Sequence, residues 1–368
     1  MKKRHLIFLS FFAGALILTG ASCVTIGGAT VGSVGVYKSV DKGENWAAIA
    51  SMPTTQGVKS LGSLNIYNIV MDPSDPNALY ACTRGQGLYY TYNGGESWQE
   101  VAAMKSKYIY GLAIDPKDKC VIYASDGQHL FKTNDCSRSW KLIFTEERTE
   151  QRFVSVSVDF GDSKIVYAAQ LGGDILRSID GGQSWRVVKR FNFNLQYLGS
   201  DSFVPKRLYA AGYRDGLYRS DDGGENWIDL NNGLESFTDS KTFYRFVLNP
   251  GQKDSIFWIS KYGILRSDDA GASWSDMSLL TPPGSVNIYS FAISPHNQKE
   301  LYYTGTLLDS NNQHVRSTFY KSIDGGKNWI TKKLPTNTIP VSMIIHPEKN
   351  DVLIMGFTVL EKPKATGF

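Results

Sequence analysis

The chain has 368 residues, of which 42% are hydrophobic, 12% aromatic and 20% charged, a balance that supplies a packed core and excludes wholesale disorder. Its formal charge is +4, but Lys2, Lys3 and Arg4 belong to a leader-like segment; without them 36 basic residues face 35 acidic ones. A near-neutral body excludes a nucleic-acid binder that gains affinity by tracking phosphates.

At the N-terminus, the basic stretch Met1 to His5 precedes an apolar run, Leu6 to Leu18, and then the small residues before Cys23. This is the layout of a secretory signal, with an apolar run too short for a transmembrane helix. Leu18-Thr19-Gly20-Ala21-Ser22-Cys23 resembles the bacterial lipobox, which implies a lipid on the Cys23 thiol and a cell-envelope location; ordinary cleavage before Cys23, and so secretion, is the alternative. Residues 1–22 are read as a signal peptide, 23–30 as a linker and 361–368 as a tail.

From residue 31 to 360 the chain repeats itself, which bears on the fold before any single element does. Ser39-Val-Asp41-Lys-Gly43-Glu-Asn-Trp46 recurs with Asn93, Asp135, Asp180, Asp222, Asp269 and Asp324 in the place of Asp41, each five residues before a Trp. A second pattern precedes each full copy, as in Ile66-Tyr67-Asn-Ile-Val-Met-Asp72-Pro73 leading to Leu79-Tyr80, and eight residues separate the Asp72 and Tyr80 positions in every unit. Each unit reads as four strands: one ending at the Asp72 position, one carrying Leu-Tyr, one before the box and one from the Trp.

These boxes resemble the Asp-box, or BNR, repeat of sialidases, sortilin-type receptors, xyloglucan-degrading glucanases and photosystem II assembly factors. The resemblance implies an all-β, seven-bladed β-propeller in which each box Asp accepts turn N–H groups, a structural role consistent with short polar side chains in turns. The first box has only its last two strands, and the C-terminus has an unpaired first two, Val341 to Ile345 and Val352 to Gly356. Together they are expected to close the ring as one shared blade, because an open ring leaves strand edges exposed.

In such a blade the first-to-second and third-to-fourth turns share one face of the disc, and here they are constant in length. The remaining connections vary, with the longest excursions at Ala47 to Asn65 and Tyr303 to Arg316, so the ligand surface is expected on that face. Tyr67, Tyr110, Tyr244 and Tyr289 share one aligned position near the start of the innermost strand, either packed between blades or forming a partial ring at the channel mouth. Arg84, Arg152, Lys189, Arg190, Arg214, Lys261 and Lys332 are read as nearby loop charges.

The sequence carries no Arg-Ile-Pro motif of the sialidases and no HExxH or GxSxG. Glu146, Glu147, Glu150, Asp239 and Asp309 on variable loops are the acids that a glycosidase would recruit. His129, His296, His314 and His346 show no ligand-like spacing, so no metal and no cofactor are expected. The resulting expectation is a monomeric, exported, non-enzymatic module for a protein or glycan ligand, with a glycoside hydrolase as the alternative. Cys120 and Cys136, at neighbouring strand ends of one unit, either form a disulfide or remain two free thiols, and Cys82 is an unpaired core residue. Replacing Cys23 by Ser is expected to move the protein from the membrane fraction to the soluble one; unchanged fractionation with no lost lipid label contradicts the anchor.

Overall fold

The computed structural model describes residues 33–360, so the segments read as signal peptide, linker and tail, with Cys23, lie outside the described residues. Seven four-stranded antiparallel sheets form a closed ring, a seven-bladed β-propeller. Blade 1 is the shared one: Ile339–Ile345 innermost, then Leu353–Thr358, Gly35–Ser39 and the short outer strand Ala47–Ala48. Its two chain ends run in register from Gly35 opposite Phe357 to Ser39 opposite Leu353. Blades 2 to 7 follow at residues 66–100, 111–145, 153–190, 195–229, 243–276 and 287–332.

Burial follows radial position. Second strands such as Leu79–Thr83 and Val166–Gln170 are buried at every residue because neighbouring blades cover both their faces, while the outer strands are largely exposed. The Tyr80 position holds Tyr80, Tyr123, Tyr167, Tyr209, Phe257 and Tyr302, all fully buried, with Ile354 in blade 1. These rings pack across the blade seams, Tyr209 against Phe246 at 4.9 Å and Phe257 against Phe291 at 4.7 Å. Burying one large apolar side chain stabilises a fold by about 1.5–3 kcal/mol, so this ring of aromatics is a main source of cohesion.

The box turn is built from local hydrogen bonds. In blade 5 the Ser220 hydroxyl donates to Asp222 Oδ1 at 2.9 Å and accepts from Gly224 N at 2.8 Å, while Asp222 Oδ1 also accepts from Asn226 N at 2.9 Å. The same set recurs in every box, with Asn93 Oδ1 in blade 2. The residue after each box Asp and the next one both have positive φ, which favours glycine. At the second position space matters as well: a Cβ on Gly95 would lie 2.4 Å from Ile49 Cδ1 of the preceding blade. The Asp72 position caps the other turn of the same face, Asp72 Oδ1 accepting from Ser74 N and Asp75 N, and Asn249, Ser294 and His346 do the same in blades 6, 7 and 1.

Two expectations need correction. The Ala47 to Asn65 excursion is not an open loop: Ser51–Thr54 and Gly57–Ser60 pair as a separate hairpin, tied to blade 2 by Trp98 N donating to Ser51 O at 2.9 Å. Likewise the Tyr303 to Arg316 stretch extends the second and third strands of blade 7, Leu301–Leu308 and His314–Ser322, because its residues keep the ladder up to a short turn capped by Asp309.

The backbone N–H and side-chain amide of Asn45 and of Asn328, and the hydroxyl and N–H of Ser139, hold the carboxyls of Asp41, Asp324 and Asp135 respectively down at about 2. A carboxyl that ionises more readily in the folded state adds stability above its unfolded pKa, and that contribution is lost as the pH falls through the folded one. The melting temperature is therefore expected to drop between about pH 4 and pH 2. Asn93 already serves as an uncharged box residue, so a triple Asp→Asn variant at 41, 135 and 324 should fold and show a shallower acid slope; an unchanged slope contradicts the assignment. Deleting residues 341–368 removes the second strand of blade 1 and most of the innermost, and is expected to abolish cooperative melting. A truncated protein that melts like the full chain contradicts closure.

Candidate functional site

The innermost strands surround a central channel with a cavity of about 480 Å³. Some of the polar residues that they present inwards are bonded between blades: Ser157 Oγ donates to Ser200 Oγ, and Ser342 Oγ donates to Asn68 Oδ1. Tyr67, Tyr110, Tyr244 and Tyr289 all line this channel, half-buried, at its variable-loop end. They form two clusters rather than an even ring. Tyr67 lies 6.3 Å from Tyr110, which stacks on Tyr108 at 4.1 Å; across the mouth Tyr244 lies 5.8 Å from Tyr289. Blades 4, 5 and 1 place Val154, Gln196 and Val341 at the aligned position, which explains the gaps.

The expected loop cations separate into groups. Arg84 sits over the Tyr67 ring at 5.6 Å and Arg152 over Tyr110 at 5.3 Å, both at the mouth and neither in an ion pair. Arg214 lies over Tyr213 at 5.4 Å and lines a side cavity of about 720 Å³ that shares Tyr244 with the channel. Lys261 lines the same cavity, paired with Asp239 at 2.9 Å. Arg190 stands apart, 3.5 Å from Asp174, beside the pair that Arg148 makes with Glu146. Lys189 lies over Phe191. Lys332 is a correction: it reaches Glu44 of the first box at 2.6 Å, on the constant-turn face, because the outer strand of blade 7 starts there.

Two channel residues escaped the sequence reading. Arg245 and Tyr197 occupy the position after the aligned tyrosines, where the other blades carry Asn68, Gly111, Ser155, Ser290 and Ser342. An arginine in a row of small or neutral residues was a legible signal, visible only once that second row is aligned. Among the described residues, no carboxylate lines the channel. The acids on variable loops are engaged or exposed: Glu146 is buried and bonded to Arg148 and Gln170, and Glu147, Glu150 and Asp309 are exposed. No cluster of three or more His, Cys, Asp or Glu among the described residues has the arrangement of a metal site.

On the opposite face Cys120 and Cys136 are joined as a disulfide, and Cys82 is a buried free thiol on the channel wall. Burial pushes the Cys82 thiol up to about 12, so it stays protonated and unreactive at neutral pH.

Seven box turns, seven blades and one shared closing blade decide the architecture. The chain is a seven-bladed β-propeller with one box turn in each blade. The family model described as sortilin, neurotensin receptor 3, matches residues 35–170 of this propeller. No curated protein sequence matches it. Among solved structures it is similar to a GH74 enzyme of Niastella koreensis, at 16% identity and a TM-score of 0.63, over 88% of this chain and 53% of that one. It is also similar to a GH74 xyloglucanase of Xanthomonas campestris, at 16% identity and a TM-score of 0.62, over 85% and 52%. YCF48 bound to a D1 peptide aligns at 16% identity and a TM-score of 0.59, over 84% of this propeller and 95% of that chain. The propeller thus spans about half the length of the GH74 enzymes and nearly all of YCF48. At these identities the likeness is one of fold.

Proposed function

We propose that this propeller is an exported binding module, tethered through Cys23, that holds a protein or glycan ligand over the channel mouth on its variable-loop face and does not catalyse a reaction. The observation that carries the reading is the composition of that mouth: aromatic rings on four blades, arginines without acidic partners, and no carboxylate facing the cavity among the described residues. Tyr and Arg supply rigid contact area and charge-assisted hydrogen bonds, the combination that dominates binding hot spots. Glycosidic cleavage calls for two carboxylates flanking the scissile bond. The loop acids here are spent on Arg148 and Lys261 or lie exposed outside the channel. YCF48, whose structure holds a peptide, shares the single-propeller architecture, which favours a protein ligand over a substrate.

Probing protein and glycan arrays with the mature chain is expected to return ligands whose binding falls about tenfold or more in Tyr110→Ala and Tyr289→Ala variants of unchanged melting temperature. Release of reducing ends from any arrayed glycan, or ligands indifferent to both substitutions, contradicts the reading.

A further inference from the structure

The channel interior poses a separate question. Arg245 leaves the innermost strand of blade 6 and reaches across to blade 1, where its guanidinium donates to the backbone carbonyl of Val341. That is its one hydrogen bond among the described residues, and it takes part in no ion pair, so the remaining donors of a five-donor group point into the cavity unused. Tyr67 and Tyr197 line the same space, and their hydroxyls also make no hydrogen bond to the described protein. Two acceptors there are already committed: Val341 O to Arg245 itself, and Asn68 Oδ1 to Ser342 Oγ. At the entrance the Arg84 Nε is buried and without a partner.

The interior therefore holds unused donors and a positive charge, with no carboxylate beside them among the described residues. Burial lowers the pKa of Arg245, and the two phenols are the titratable groups that act on it; no acid does so. A half-buried cation with no counter-charge from the protein is placed to take one from a bound anion. A cavity of about 480 Å³ has room for a small charged group together with water.

We propose that the channel is an oxyanion-binding site in which Arg245 holds a carboxylate or phosphate group and the hydroxyls of Tyr67 and Tyr197 donate to the same group. The guanidinium fork suits the paired oxygens of such a group. The site lies beneath the mouth and does not depend on which ligand covers it. The occupant is either a free small anion or the charged end of a larger molecule; both present the same oxygens.

The test is a titration of the purified mature chain with sodium phosphate and, separately, sodium acetate, against sodium chloride at matched ionic strength, read by melting temperature and by calorimetry. At least one oxyanion should raise the melting temperature above the chloride control and bind in a saturable way. Arg245→Gln should weaken that binding about tenfold or more, as expected when a charge-assisted hydrogen bond is removed. A Tyr67→Phe/Tyr197→Phe double variant, which deletes two hydroxyls and keeps the rings, should weaken it several-fold and decides the matter alone if Arg245→Gln fails to fold. A response to acetate alone marks a carboxylate as the occupant, and a response to phosphate marks a phosphate group. No response to either anion, or the same response from the wild-type chain and the double variant, overturns the proposal. Because the probes are small ions, loss of macromolecular binding in the Tyr110 or Tyr289 variants leaves this result untouched.

Discussion

In six of the seven box turns the backbone of one residue carries two connections at once. The N–H of the residue after the box Asp donates to the first-to-second turn of its own blade, as Gly181 N does to Lys164 O and Gly223 N to Lys206 O, and all seven blades share this bond. The carbonyl of the same residue accepts from the preceding blade: Lys38 Nζ to Gly94 O, Lys132 Nζ to Gly181 O, Arg177 Nη1 to Gly223 O, Arg219 Nη1 to Ala270 O and Lys321 Nζ to Lys42 O. Between blades 2 and 3 the Tyr92 hydroxyl does this for Cys136 O. At the seam of blades 6 and 7, Arg266 turns instead to Asp268 and Gln252. The box Asp holds the turn in the left-handed conformation that aims this residue's N–H and carbonyl in the two directions, which is why a surface carboxylate matters to the whole ring.

Blade 3 shows the same contact made covalently. Its box carries Cys136 and Ser137 in place of glycines, both with positive φ, at a conformational cost that glycine avoids. The backbone bond from Cys136 N to Cys120 O links the two turns as in the other blades, and the disulfide spans the same two residues. A crosslink at this point restrains the unfolded chain and keeps the unfavourable turn in place.

The two faces divide the work. Constant turns, caps, clasps and the disulfide occupy one face, while tyrosines, unpaired arginines and variable connections occupy the other. The second strands between them are wholly buried and transmit rigidity across the disc. Loops on the variable face can therefore differ between blades without loosening the ring, and a site mounted there on innermost strands is held by a scaffold that does not share its residues.

The sequence by itself determined the number of blades, the place of the closing blade, the two faces and the pairing partners open to Cys120. These follow from hydrogen bonds that span four residues or fewer, as from Asn226 N to Asp222, and from an eight-residue hairpin whose spacing recurs in each unit. Their physics is local, so a repeat displays it. Only the tertiary structure decided that Arg245 meets Val341, 96 residues away across the ring, or that Lys332 belongs to Glu44, 288 residues away, on the far face. It also decided that the tyrosines fall in two clusters and that Arg190 serves Asp174 instead of the mouth. Such contacts depend on how seven sheets tilt and close around one axis, and a one-position step along an innermost strand moves a side chain to the other side of its sheet.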